Sequence, residues 1–245
     1  VLKSCRRDMA ERPDVEELTI EECSSENGVI IVATINRPEK LNALNIDVKE
    51  AIKSLCTWAQ KSEEVLVVIF RGASPLPPPE GKRQKPHAFV AGADVSEFVG
   101  KDSTTIRPEF EDNVWEAVWK LTKPTIALID GYALGGGSEL ALSCDIRIAT
   151  NRSMFGTPEI NLGLIPGGGG TQRLTWLIGY GKAMEMVMGG EMIDGEEAYR
   201  IGLVNHIVEP DDLMKKGMEI ANNLSSKSPL TIQVAKQAVR AALDN

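Results

Sequence analysis

Two carboxylates in this chain, Glu139 and Glu159, sit beside structure-breaking residues rather than on an ordinary solvated face. Glu139 follows Gly135-Gly136-Gly137, and Glu159 follows Thr157-Pro158 and precedes Gly167-Gly168-Gly169-Gly170. Glycines let a backbone approach a ligand closely and aim its N–H groups at it. Paired carboxylates hold and split a water by general acid/base chemistry. Together the two features point to an enzyme that stabilises an oxyanion and moves protons.

The elements around them follow from the local sequence. Thr125 to Ile129 is a short apolar run after Lys123-Pro124 and reads as a buried strand, broken by Asp130-Gly131. Gly135 to Gly137 turns the chain, and Ser138 onward reads as the start of a helix, with Glu139 in its first turn. The free N–H groups there can bind an anion, or Glu139 can simply complement the helix dipole. Ile146 to Ala149 alternates like a strand, after which Pro158 re-aims the chain at Glu159. A loop charge is the plain alternative for Glu159. The run Gly167 to Gly170 lacks the Gly-Lys-Ser/Thr ending of a phosphate-binding P-loop, and the first cluster does not fit the dinucleotide fingerprint.

Composition narrows the class. With 245 residues, 42% hydrophobic and 25% charged, the chain is long enough for one full core and has an ordinary globular balance. A net charge of −8 argues against a nucleic-acid surface but leaves room for a local basic pocket. Cys5, Cys23, Cys56 and Cys144 have no metal spacing and read as free thiols of a reducing compartment, cytoplasm or mitochondrial matrix. Two histidines, His87 and His206, make a zinc site improbable, and no G-x-S-x-G nucleophile elbow occurs. Residues 1–16 read as a flexible segment, and the mixed charge of its first part does not fit a transit peptide.

Further along, Glu17 to Ile35 reads as a strand pair turning at Asn27-Gly28, Asp47 to Ser62 as a helix and Val65 to Phe70 as a buried strand. The stretch Ser74 to His87 is rich in proline and base; it is a solvated insertion, or its Lys82, Arg83 and Lys85 meet a phosphate at a ligand entrance. Glu109 to Leu121 reads as a helix whose Trp115 and Trp119 pack as i, i+4 partners, with Trp115 also a candidate wall of an acyl pocket. The last third reads as helical.

These pieces, in order, resemble the enoyl-CoA hydratase (crotonase) superfamily. The resemblance rests on Asn36-Arg37-Pro38 with Leu41-Asn42-Ala43-Leu44, Ala88-Phe89-Val90-Ala91-Gly92-Ala93-Asp94, Gly131 to Gly137, Glu139-Leu140-Ala141, Pro158-Glu159 and Gly170 to Leu174. It implies an α/β fold of repeated ββα units, one domain over 17–245 with a core to about 190 and a helical trimerisation region from about 191. It implies an acyl-CoA substrate, coenzyme A being part of the substrate and not a cofactor, and a trimer or dimer of trimers. By motif position, the amides of Ala93 and Gly136 form the oxyanion hole, Glu139 orients and activates a water, and Glu159 delivers the Cα proton. Arg37, Lys40, Leu41, Ala91, Asp94, Val95 and Ser96 fall on the coenzyme side, with Asp94 read mainly as a turn anchor; Pro86-His87 stands where the family often has a basic residue. The implied reaction is reversible hydration of a short- to medium-chain 2-enoyl-CoA to the 3-hydroxyacyl-CoA. An isomerase of the same superfamily and a non-catalytic or RNA-binding scaffold are the alternatives; isomerases generally depend on one carboxylate, at the position of Glu159.

Overall fold

The computed structural model describes residues 12–94, 96 and 113–243. Strands β1 (Leu18–Ser25) and β2 (Gly28–Ile35) form the expected antiparallel hairpin. Helix α1 (Ile46–Lys61) is capped by Asn45, whose side chain accepts from the Val48 N–H. It leads to β3 (Val65–Gly72), which lies parallel to β2, so β2-α1-β3 is a crossover unit. Val65 to Phe70 are all buried because both faces of β3 are covered. Val68 and Phe70 join one hydrophobic cluster, Val67 and Ile69 the other.

From β3 onward the chain alternates between two sheets. Strands β3, β5 (Thr125–Ile129) and β7 (Ile146–Thr150) belong to the larger sheet, which β10 (His206–Val208) completes in the order β1-β2-β3-β5-β7-β10. Their successors β4 (Ala88–Val90), β6 (Tyr132–Leu134) and β8 (Met154–Gly156) belong to a smaller sheet, which β9 (Met192–Asp194) completes in the order β4-β6-β8-β9. Helix α2 (Val114–Lys120) follows β4, and α3 (Gly136–Ser143) follows β6. After β8 come a short 3-10 turn (Pro158–Leu162) and α4 (Gly170–Ile178). These are the repeated ββα units. Gly131 makes one of the switches between sheets: its φ is +78° and a Cβ there would lie 1.9 Å from the His87 carbonyl oxygen.

The last third departs from the helical reading. Helices α5 (Tyr180–Gly189), α6 (Gly195–Arg200), α7 (Leu213–Ser225) and α8 (Pro229–Ala241) are present. Between them, β9 (Met192–Asp194) pairs antiparallel with β8, and β10 (His206–Val208) pairs parallel with β7. Three-residue strands are too short to show alternation in sequence. The segment from about 191 therefore adds an outer strand to each sheet, and α7 covers the second face of the larger sheet through Leu213 and Ala221. Residues 12–16, read as part of a flexible segment, are tied down: Arg12 pairs with Glu22, and the Glu16 carbonyl accepts from Asn36.

Helix α3 begins at Gly136, ahead of the expected Ser138, because the glycines let it press onto β4. A Cβ at Gly137 would lie 2.0 Å from the Val90 carbonyl oxygen. Alanine for glycine inside a helix is ordinarily worth up to ~1 kcal/mol of stability. At Gly137→Ala the collision reverses the sign, and a loss of about 1–3 kcal/mol is expected in urea unfolding; a gain would show that α3 and β4 are not in close contact.

Candidate active site

The two amides that the sequence pairs as an oxyanion hole come from different ββα units. Ala93 bridges Leu44: the Leu44 N–H donates to Gly92 O and the Asp94 N–H to Leu44 O, both at 2.9 Å. In such a parallel bridge the N–H of Ala93 itself faces away from Leu44. Gly136 is the first residue of α3, so its N–H has no acceptor within the helix. A Cβ on Gly136 would stand 3.5 Å from the Ala93 nitrogen, so the two backbones adjoin. Gly135, with φ +51°, makes the turn that brings them together.

Glu139 is buried one turn into α3, at 2% exposure. Its Oε1 accepts from the Gly168 N–H at 2.7 Å and the Gly170 N–H at 2.9 Å. The second glycine cluster is thus a cradle for a carboxylate of the protein itself. Burial pushes Glu139 up to about 7; the charge of Glu159 pushes the same way, and the two amides and Arg173 pull against them. Glu159 opens the 3-10 turn Pro158–Leu162. Its Oε1 would lie 3.0 Å from a Cβ on Gly135, the residue that caps α3. Its Oε2 is buried and has no hydrogen-bond partner among the described residues. Burial raises Glu159 as well, countered by its own backbone N–H. The Glu159 carboxyl thus adjoins Gly135, the Glu139 carboxyl lies in the second glycine cluster close enough to feel the charge of Glu159, and each is held above the ordinary acid range.

Trp115 is wedged between the two glycine clusters. Its indole N–H donates to Gly136 O at 2.8 Å, and a Cβ on Gly168 would come within 2.3 Å of its ring. Trp115 is buried against the turn that starts α3, while Trp119, read as its i, i+4 partner, stacks on Trp176 with ring centroids 6.0 Å apart.

The residues expected on the coenzyme side form a neighbouring group. Ala91 N–H donates to Leu41 O at 3.1 Å, joining the two motifs. Arg37 pairs with Asp94 at 3.1 Å and donates to Ala43 O at 2.7 Å. Asp94 also accepts from the Ser96 hydroxyl and N–H. Arg37 and Asp94 thus anchor the framework, while Lys40 is exposed. Val95 lies outside the described residues, as does Cys5. In the insertion, Lys82, Arg83 and Lys85 are exposed, and Lys85 Nζ donates to Glu39 O at 2.6 Å, which brings the loop against Arg37–Leu41.

Three features were not legible beforehand. Asn42, in the left-handed region at φ +57°, donates to both Ala73 O and Ala88 O and so clamps the two stems of the insertion. His87 has an acidic partner: its Nδ1 is 3.0 Å from Asp130, which also holds Arg152 by two 2.7 Å bonds. Burial favours the acid form of Asp130, but the bonds from Arg152 and Thr150 outweigh it and keep the group below its ordinary range. Arg173 is buried at 5% exposure near Glu139. Their partners are distant in sequence, so no spacing signals them. Among the described residues no cluster of His, Cys, Asp or Glu could hold a metal ion, and no helix is long and apolar enough to cross a membrane.

Glu139 also makes stability depend on pH. Its folded-state value is raised from 4.5 to about 7, so the contribution is fully present below 4.5 and is lost as pH rises through about 7. Glu139→Gln lacks this titration. Its stability relative to wild type should therefore improve between about pH 5 and about pH 8, by on the order of 3 kcal/mol at most. Urea unfolding of both proteins across that range measures it; a constant difference would contradict a raised Glu139.

The sequence profile of the enoyl-CoA hydratase/isomerase family matches residues 25–245. A short-chain-enoyl-CoA hydratase of Clostridium acetobutylicum is 44% identical over 216 residues, covering 86% of this chain and 78% of its own length. A crotonyl-CoA hydratase of Syntrophomonas wolfei is 39% identical over 212 residues, covering 85% and 77%. The crystal structure of an enoyl-CoA hydratase from Bacillus anthracis superposes with a TM-score of 0.84 at 32% identity, covering 94% of this chain and 84% of that one. With both glutamates beside adjoining backbone amides, and relatives matched over most of its length, this chain belongs to the enoyl-CoA hydratase/isomerase family.

Proposed function

We propose that the protein catalyses the reversible hydration of a short- to medium-chain 2-enoyl-CoA to the 3-hydroxyacyl-CoA. The observation that carries this is a pair of buried, raised carboxyls, Glu159 against Gly135 and Glu139 one turn into the helix that Gly136 begins, beside the adjoining Ala93 and Gly136 backbones. The thioester oxygen accepts from those two N–H groups. As water oxygen bonds to Cβ, the π electrons shift toward Cα and the carbonyl, and the developing enolate charge meets donors already in place, each worth roughly 3–4 kcal/mol. Glu139, oriented by Gly168 and Gly170, positions the water and accepts its proton. Glu159 delivers a proton to Cα, and transfer between the two carboxyls through the site restores the starting state. Glu159 Oε2, buried and without a partner among the described residues, is the free atom such a step requires. Coenzyme A enters as part of the substrate, and relatives named for short-chain and crotonyl substrates support the short end of the acyl range.

Crotonyl-CoA is the substrate to test, by loss of its conjugated enoyl-thioester absorbance. Glu139→Gln and Glu159→Gln should each lower kcat by ~10² to 10⁴-fold with the fold intact. The double variant should fall far short of the product, since both groups act on one water. Near wild-type turnover in either single variant removes that residue from the chemistry.

The insertion is proposed to bind the coenzyme portion without touching the reaction. Lys85 already docks on Glu39, beside exposed Lys40. Neutralising Lys82, Arg83 and Lys85 together should raise KM with kcat little changed, the pattern of lost uniform binding. An unchanged KM at low salt would take the loop out of the substrate site.

A further inference from the structure

We propose that Arg173 is a positioning residue for hydration: its guanidinium fixes the glycine loop that presents two N–H groups to Glu139. The inference rests on the reading of Glu139 as one of the catalytic pair. Arg173 lies in the second turn of α4, and its side chain folds back over its own helix start. Nη1 donates to Gly168 O at 2.5 Å. That carbonyl belongs to the peptide linking Gly168 and Gly169, and the amides on either side of it, those of Gly168 and Gly170, hold Glu139 Oε1. Gly169, at φ +90°, lets the loop curl around the guanidinium; a Cβ there would lie 2.2 Å from Nη1. One cation thus grips the middle of a three-residue nest whose two ends grip the carboxylate.

The remaining contacts of Arg173 are weak. Nη2 is 3.5 Å from Glu116, itself partly exposed; Nε is buried without a partner among the described residues; and the guanidinium stands 4.7 Å over the Trp119 ring. A buried cation so thinly paired contributes little net stability, and an apolar replacement of similar volume is often neutral or stabilising. Glu116 keeps its other partner, Lys120 at 3.4 Å. The fork geometry matters too: Arg spans the Gly168 carbonyl and Glu116, whereas Lys offers a single point charge. The charged and titratable groups that face Glu139 are Glu159 from the 3-10 turn and Arg173 from α4. Those that face Arg173 are Glu116 from α2, Glu139 and Cys144 at the two ends of α3, and Arg240 from α8. Removing Arg173 both withdraws a positive charge and loosens the amides, and both changes make Glu139 harder to ionise.

Arg173→Met and Arg173→Lys test this with crotonyl-CoA and with a carbon-13 carboxyl NMR titration, in which Glu139→Gln identifies the Glu139 signal. Arg173→Met should unfold at nearly the wild-type temperature and keep KM within about twofold, while kcat falls about tenfold or more, the scale of a misplaced catalytic group. The acid limb of its kcat–pH profile and the Glu139 titration should both move to higher pH, with Arg173→Lys between it and wild type. A wild-type acid limb and titration in Arg173→Met would overturn the proposal, whatever happens to its stability. Should Arg173→Met not fold, the Lys variant decides on the same two curves. If the wild-type protein does not hydrate crotonyl-CoA, the functional reading fails by itself, and the Glu139 titration still decides whether Arg173 positions that carboxylate.

Discussion

The structure around the site turns on one buried carboxylate and the two amides that receive it. Taking a carboxylate out of water costs several kcal/mol unless it is paired or well bonded. Among the described residues Glu139 has no cation in hydrogen-bond contact; it has the Gly168 and Gly170 N–H groups on one oxygen. Charge-assisted bonds of this kind are the stronger class, yet burial and Glu159 still win, and the group sits near 7. Its stabilisation is incomplete, which leaves it able to exchange a proton near neutral pH. The cradle itself requires glycines. At 168 a side chain would strike Trp115, at 169 it would strike Arg173, and at 170 it would crowd Glu139.

The alternation of each chain segment between two sheets explains why the reactive groups come from separate units. Short strands β4 and β6 of the smaller sheet end close together, so the chain after β4 and the helix after β6 start at one place. That geometry sets the Ala93 amide against the Gly136 amide, although more than forty residues separate them. A helix start supplies the free N–H at Gly136, and a bridge to Leu44 turns the N–H of Ala93 outward. Backbone donors of this kind are fixed by the fold and need no side-chain ordering to be presented.

Much of this was legible in the sequence. The run Thr125 to Ile129, the spacing of α1 and the two glutamates beside structure breakers all carry local signals. What escaped were features whose cause is tertiary. The Gly167 to Gly170 run looked like a failed phosphate loop because the carboxylate it receives lies thirty residues earlier. Gly136 and Gly137 looked like a turn because glycine is a poor helix former; contact with β4 overrides the propensity. Strands β9 and β10, at three residues each, fall below the length at which period two can be seen. His87 meets Asp130 and Arg152, which come from the ends of other strands, so no local spacing signals the contact. Asn42 sat inside a recognisable motif, yet its role as a clamp is set by where Ala73 and Ala88 meet.

The distribution of charge has its own logic. The net charge of −8 would seem to oppose an anionic coenzyme, but exposed charges act over a screening distance of ~10 Å, so only the local arrangement counts. Several cations serve the scaffold: Arg37 on Asp94, Arg152 on Asp130, and Lys236 with Arg240 on Asp145. Those pairs are wholly or partly withdrawn from solvent and fixed by hydrogen bonds, so they have little freedom to meet a ligand. Lys40, Lys82 and Arg83 are exposed, and the Lys85–Glu39 contact holds the insertion close to the segment that carries Lys40. The stems of that insertion are pinched together by a single buried amide at Asn42. A long polar loop is therefore added at small cost in closure entropy, and Lys85 holds it against the segment that carries Lys40.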